Sequence, residues 1–267
     1  LRRNSFFTGL SEGVVGSDRI IKILNLWDDN LVVDAKGIYS IEKFIIARRL
    51  MYWQVYLHKT VVAAEEMLIK TLSRARQLLL EGKDLFTTPA LHFFLSKEID
   101  KNEFLSPNPH YCKGVSPKYI GLSYFTNLDD NDIMASIKTW TTHSDRILST
   151  LSRSLINRKL PGITIQKEPF KRSEINRIRQ KTAEKLKLPD TEVGYFVFSD
   201  VLKNNAYRVG SENINILFPN NEVYDIAKAS DVSNVKALTK TVTKYFLCYP
   251  KEIVRNQDDK NSYLNQS

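Results

Sequence analysis

The sequence is short of the residues from which most recognisable sites are built. Its 267 residues hold two cysteines, four histidines, ten glycines and nine prolines. Cys112 and Cys248 lie far apart with no C-x-x-C spacing. That excludes a disulfide framework or a cysteine zinc site, and it suits a reducing, cytoplasmic setting. His58, His92, His110 and His143 are isolated: none precedes an Asp, and no two are three or four apart. His143 and Asp145 come nearest to a metal pair, but two residues turn a helix by about 200°, so they point apart. There is no G-x-x-x-x-G-K-[ST], G-x-G-x-x-G, G-x-S-x-G or H-E-x-x-H, which removes the common phosphate-loop, dinucleotide, hydrolase-elbow and zincin templates. No apolar run approaches the roughly 18 residues of a membrane span, so no membrane partner is expected. The chain opens "LRRNSFFTGL", without Met or a basic-then-apolar leader, and is expected to start partway through a longer protein.

What is present is ordinary globular material, 42% hydrophobic and 26% charged, with a net charge of +9. A basic excess suits nucleic acid, phosphorylated small molecules or acidic protein surfaces. The cations are spread out, and the densest stretch, "EPFKRSEINRIRQKTAEKLK" (168–187), is interleaved with glutamates as on a solvated helix. Nucleic-acid binding is therefore the less favoured of these.

Periodicity predicts a mainly α protein with a small C-terminal α+β subdomain. Residues 18–27 have helical spacing behind Asp18 as N-cap. "LVVD" and "GIYSI" read as a hairpin turning at Ala35-Lys36-Gly37. A helical pattern runs from Ser40 to Glu81, long enough to be kinked or divided, and stops at Gly82. A helix over 87–99 and a Pro/Gly/Asn-rich loop over 106–127 follow. One helix is expected over 128–160, stopped by Pro161-Gly162. Then come a strand at "GITIQKE", an amphipathic helix over 171–186, and strands at "EVGYFVFSDV", "NINILFP" and "EVYDIAK". A closing helix is read at "NVKALTKTVTKYFLCY". The expected organisation is a helical body over 1–160, the α+β subdomain over 161–250 and a flexible tail over 251–267.

Within the long helix, "FIIARRLMYWQVYLHKT" (44–60) puts Arg48, Tyr52, Tyr56 and Lys59 near one face, at spacings of four, four and three. Two readings stand. The rings pack while the cations snorkel past them. Alternatively the face clamps phosphate, with Arg48 as a planar fork and Lys59 as a mobile point charge.

"LRRNSFFTGLSEGVVGSDRIIKIL", "LVVDAKGIYSIEKFIIARRLMYWQVYLHKTVVAAEEML", "LDDNDIMASIKTW" and "LINRKL" resemble HD-domain phosphohydrolases related to dGTP triphosphohydrolase and the vertebrate SAM-and-HD-domain dNTP triphosphohydrolase, the bacterial members most closely. The resemblance extends through about residue 160 and more loosely to about 250. It implies an HD-like helical body and metal-dependent hydrolysis of a (d)NTP to nucleoside and triphosphate. It also implies a homo-oligomer in which nucleoside triphosphates act as substrate and activator. The family's divalent-metal ligands, a histidine, a His-Asp pair and an aspartate, would fall upstream of Leu1. This chain would then supply pocket residues and assembly surface, and would be inactive alone. Arg48 aligns with an arginine that contacts the triphosphate, and Tyr56 with a tyrosine lining the nucleotide pocket. Tyr52 stands where the vertebrate enzyme has histidine, Asn4 where it has aspartate, and Leu57 where it has a glutamine near the sugar. Lys59 matches a family lysine. The alternative from another class is a non-catalytic nucleotide-binding module for regulation or assembly.

Overall fold

The computed structural model describes residues 1–114, 116–208, 210, 213–231 and 240–254. The protein is mainly helical with two small sheets and divides into two compact units that alternate along the chain. One comprises Leu1–Val62, Ile163–Ile175 and Ser199–Leu247; the other comprises Ala63–Gly162, Asn176–Phe198 and Cys248–Ser267. No described helix is long and apolar enough to cross a membrane.

The first unit begins with α1 (Arg2–Thr8) and α2 (Ser17–Lys22), followed by β1 (Leu24–Trp27) and β2 (Asn30–Asp34). Here the structure departs from the sequence reading twice. The helix expected over 18–27 stops at Lys22, and the hairpin pairs β1 with β2, Leu24 opposite Val33 and Trp27 opposite Asn30. Asp28 and Asp29 turn the chain, with φ of 49° and 55°, the left-handed pair that a tight twisted hairpin needs. Ala35–Gly37 is a helical turn that leads into α3 (Ile38–Met51), not a hairpin loop. β2 also runs parallel to β5 (Asn215–Leu217), which pairs antiparallel with β6 (Val223–Asp225). The short helix Ile226–Ala229 follows β6 directly.

The unit's core gathers Ile23, Val33, Ile41, Ile45, Ile216 and Ile226 with Tyr207. The Tyr207 hydroxyl accepts from Ile214 N at 2.8 Å and donates to the Asp225 carboxylate. Burial, then that carboxylate, pushes the phenol above its usual range, so it stays a neutral donor.

The helix expected over 40–81 is divided. A π-helical stretch, Tyr52–Tyr56, continues α3, and α4 (Lys59–Leu80) starts after a break at Leu57-His58. Gly82, at φ 72°, follows. In the second unit α5 (Pro89–Leu95) is shorter than expected and carries proline in its first turn. A four-residue helix, Lys101–Phe104, precedes the stretch read as loop. Part of that stretch is α7 (numbering Lys101–Phe104 as α6), Ile120–Asn127. Its Gly121 is required by contact: a Cβ there would lie 2.4 Å from the Phe104 ring.

The helix expected over 128–160 is two. α8 (Asp130–Trp140) is capped by Asp129 and Asp132, and α9 (Arg146–Ile156) by Asp145, which accepts from Leu148 N at 2.8 Å. Asp145 is held in turn by Arg74, Nη2 to Oδ2 at 2.6 Å. The core here is Ala75, Leu78, Leu91, Ile137, Trp140 and Leu148. Trp140 Nε1 donates to Phe86 O at 2.7 Å, so the buried indole is satisfied.

β3 (Gly162–Gln166) and α10 (Arg172–Leu186) fall where expected. Residues 193–195 form a helical turn ahead of β4 (Phe198–Asn204). The closing helix is corrected: 242–249 form β7, the central strand of a β3-β7-β4 sheet. Val242 and Thr243 are β-branched, and Phe246, Leu247 and Cys248 are buried together, which suits a covered strand. The part of that expected helix at 234–239 lies outside the described residues. A helical turn at Lys251–Val254 opens the stretch read as tail, and 255–267 also lie outside them.

Candidate functional site

The site grows from the junction of α3 with the π stretch. Leu57 N bonds to Tyr52 O at 2.7 Å, the five-residue step that marks the π turn. Such turns carry one residue more than an α-turn and recur at functional sites. α1 and the turn after it are fixed against this junction. Gly13 lies so close to Ser5 and Met51 that a Cβ would fall 2.7 Å from Ser5 Cβ and 3.0 Å from Met51 Sδ. Gln54 donates to Glu12 at 3.1 Å, and Asn4 Nδ2 donates to the Tyr56 hydroxyl at 2.7 Å. The Glu12 carboxyl is held below its usual range by its own backbone amide and then by Gln54.

Around this junction opens a pocket of about 510 Å³, walled by Phe44, Arg48, Tyr52 and Tyr56 on one element and by Arg2 and Ser17 on two others. Tyr52 and Tyr56 meet edge to face with centroids 5.0 Å apart. The Arg48 guanidinium lies 5.8 Å from the Tyr52 ring and has no carboxylate partner among the described residues. Arg2 Nη1 donates to Ser17 Oγ at 3.1 Å. Two arginines, two phenols and a hydroxyl on an open concave wall are suited to an anion: forks for oxygens, rings for apolar or planar parts.

Of the residues singled out in the sequence, Arg48, Tyr52 and Tyr56 share the pocket. Asn4 touches it through Tyr56, and Lys59 stands apart, exposed as the first residue of α4. Sequence reasoning missed Arg2, Ser17 and Phe44; the quoted "LRRNSFFTG" opening was the signal for Arg2. Among the described residues no three of His, Cys, Asp or Glu gather where a metal could sit.

Residues 15–88 match the family model described as HD associated region, a span that includes the hairpin, α3 and the π stretch. The chain is similar to a phosphohydrolase of Bacteroides thetaiotaomicron VPI-5482, at 45% identity and a TM-score of 0.79, over 94% of this chain and 60% of that one. It is 28% identical to the protein YwfO of Bacillus subtilis over 262 residues, 95% of this chain and 54% of that protein. A hypothetical protein of Aquifex aeolicus shares the fold, with a TM-score of 0.57 at 18% identity, over 94% of this chain and 53% of its own. The chain thus spans between half and two thirds of the length of each of these. The HD-associated region and the likeness to a phosphohydrolase support a place among HD-domain proteins.

Proposed function

We propose that the chain is the C-terminal part of an HD-family phosphohydrolase, and that its pocket grips the phosphate side of a (d)NTP that the whole protein hydrolyses to nucleoside and triphosphate. The observation that carries this reading is Arg48, which faces a concave, tyrosine-lined wall with no carboxylate to neutralise it. A buried or half-buried cation without an acid partner is costly unless an anion visits it. Arg48 and Arg2 would bind phosphate oxygens, while Tyr52 and Tyr56 orient the rest of the nucleotide and exclude water from one side. Activation of the attacking water, and the divalent metal implied by the resemblance, belong to residues other than those of this chain.

The test uses the full-length protein with dNTPs and a divalent metal, assayed for inorganic triphosphate. Arg48→Ala is expected to lower kcat/KM by about 10- to 100-fold, the range of a charge-assisted hydrogen bond worth roughly 1.5–3 kcal/mol. Unchanged kinetics would remove Arg48 from the site. Saturable nucleotide binding with no turnover at any metal concentration would establish the non-catalytic module instead.

A further inference from the structure

We infer that the second unit holds a separate binding site for a small anionic amphiphile, a molecule with an apolar body and a single carboxylate head. A cavity of about 390 Å³ opens beside α9, within the 300–1,000 Å³ range of small-molecule pockets. Its walls are Met67, Leu151, Leu160, Leu186 and Phe196. Such walls favour an alkyl or aromatic body and would desolvate a triphosphate at great cost.

The polar groups of the cavity are few. Thr150 and Ser154, four apart on α9, both line it. Several buried helical hydroxyls elsewhere satisfy themselves on the preceding turn: Thr71 on Met67 O at 2.7 Å, Ser136 on Asp132 O at 2.8 Å, Thr182 on Ile178 O at 2.8 Å. Thr150 and Ser154 make no such bond among the described residues, so two adjacent donors remain for a ligand. Lys159 and Lys251 also line the cavity, and Glu252 is the one acid that does. The backbone at Glu252 is held by Lys185, which donates from Nζ to the Glu252 carbonyl at 3.0 Å. Two lining ammonium groups against one lining carboxylate favour an anionic head, and two hydroxyl donors suit carboxylate oxygens.

The probe is decanoate, titrated calorimetrically into the full-length protein below its aggregation threshold, with 1-decanol as the uncharged control. Decanoate is expected to bind saturably at one equivalent. Combining Lys159→Glu with Lys251→Glu, both at exposed positions, is expected to weaken it about tenfold. Decanol binds more weakly and equally to both proteins. Ser154→Phe, which fills the cavity from its half-buried wall, abolishes decanoate binding; if that variant fails to fold, the charge-reversed pair still decides. Absence of saturable decanoate binding overturns the site. So does decanoate binding that matches decanol and ignores both lysines.

Discussion

The two concavities of this molecule are built on opposite plans. In the first unit the pocket wall is aromatic and cationic, and its groups are held by single hydrogen bonds, Asn4 to Tyr56 and Arg2 to Ser17. In the second unit the cavity is an apolar dent beside the cluster of Met67, Ile147 and Leu151, and the Thr150 and Ser154 hydroxyls line it. The first arrangement spends little apolar burial and exposes charge; the second keeps charge at the periphery. Anion recognition needs the former, because a guanidinium must keep its donors free, and hydrophobic binding needs the latter.

This contrast can be broken by substitution, beginning with the second unit's core. Trp140→Ala removes a side chain that is 1% exposed together with its bond to Phe86, and is expected to cost about 4 kcal/mol in urea unfolding. A loss below about 1 kcal/mol would mean the core closes around the gap. Arg74→Met comes next. Its side chain is 10% exposed and bridges Asp145, Gln77 and Glu192, and Asp145 caps α9. After allowance for solvent screening at the partly exposed Glu192, about 2 kcal/mol should be lost. If the melting temperature is unmoved, the ion pair does not hold the α8–α9 junction.

The same pair sets an acid dependence. Burial would raise the Asp145 carboxyl, but the Arg74 hydrogen bond and the Leu148 amide overcome it, and the group lies below its usual range. A carboxyl lower in the folded than in the unfolded state stabilises fully above the unfolded value, near 4, and this is lost as pH falls through the folded value. Wild-type stability should therefore drop below about pH 4, and Arg74→Met should lose that part of the drop. Identical acid profiles would assign the drop to other carboxylates. The smallest effect is expected at the π stretch. Lys244 lies 4.1 Å from the Trp53 ring, and Lys244→Met should cost roughly 0.5–1 kcal/mol while Lys244→Arg preserves stability. Equal losses in both variants would exclude the ring contact as the cause.

The sequence was legible where one signal dominated its neighbourhood. The long helix, Gly82, β3 and α10 followed from uninterrupted periodicity bounded by glycine or proline. It misled where two patterns overlap. Ile20, Ile21, Ile23, Leu24, Leu26 and Trp27 satisfy a helical spacing, yet the chain leaves the helix at Lys22, because β1 gains a ladder with β2 that only the Asp28-Asp29 turn makes possible. The single helix expected over 128–160 ignored Ser144-Asp145, a cap whose strength comes from Arg74, 71 residues away. β7 was read into a closing helix whose lysines at 236, 240 and 244 fall four apart; pairing on both sides of 242–249 decides otherwise. At the site, spacing put Arg48, Tyr52 and Tyr56 on one helix face but left packing as good a reading as binding; the family resemblance made them candidates, whereas Arg2, Ser17 and Phe44 enter the pocket through tertiary approach.

The π stretch has one further consequence, which is rotational. On an uninterrupted α-helix each residue advances about 100°, so Tyr52 drifts about 40° from Arg48 and Tyr56 about 80°. A π stretch advances only about 80° per residue, so the four steps from Tyr52 to Tyr56 stop about 40° short of a full turn. That shortfall nearly cancels the drift. The inserted residue acts as a phase corrector that brings residues 48 and 56, eight apart, back to one meridian of the helix. With the same residues wound as an ordinary α-helix, the second phenol would stand about 80° from the guanidinium and turn out of the pocket, with no side chain of the pocket itself replaced.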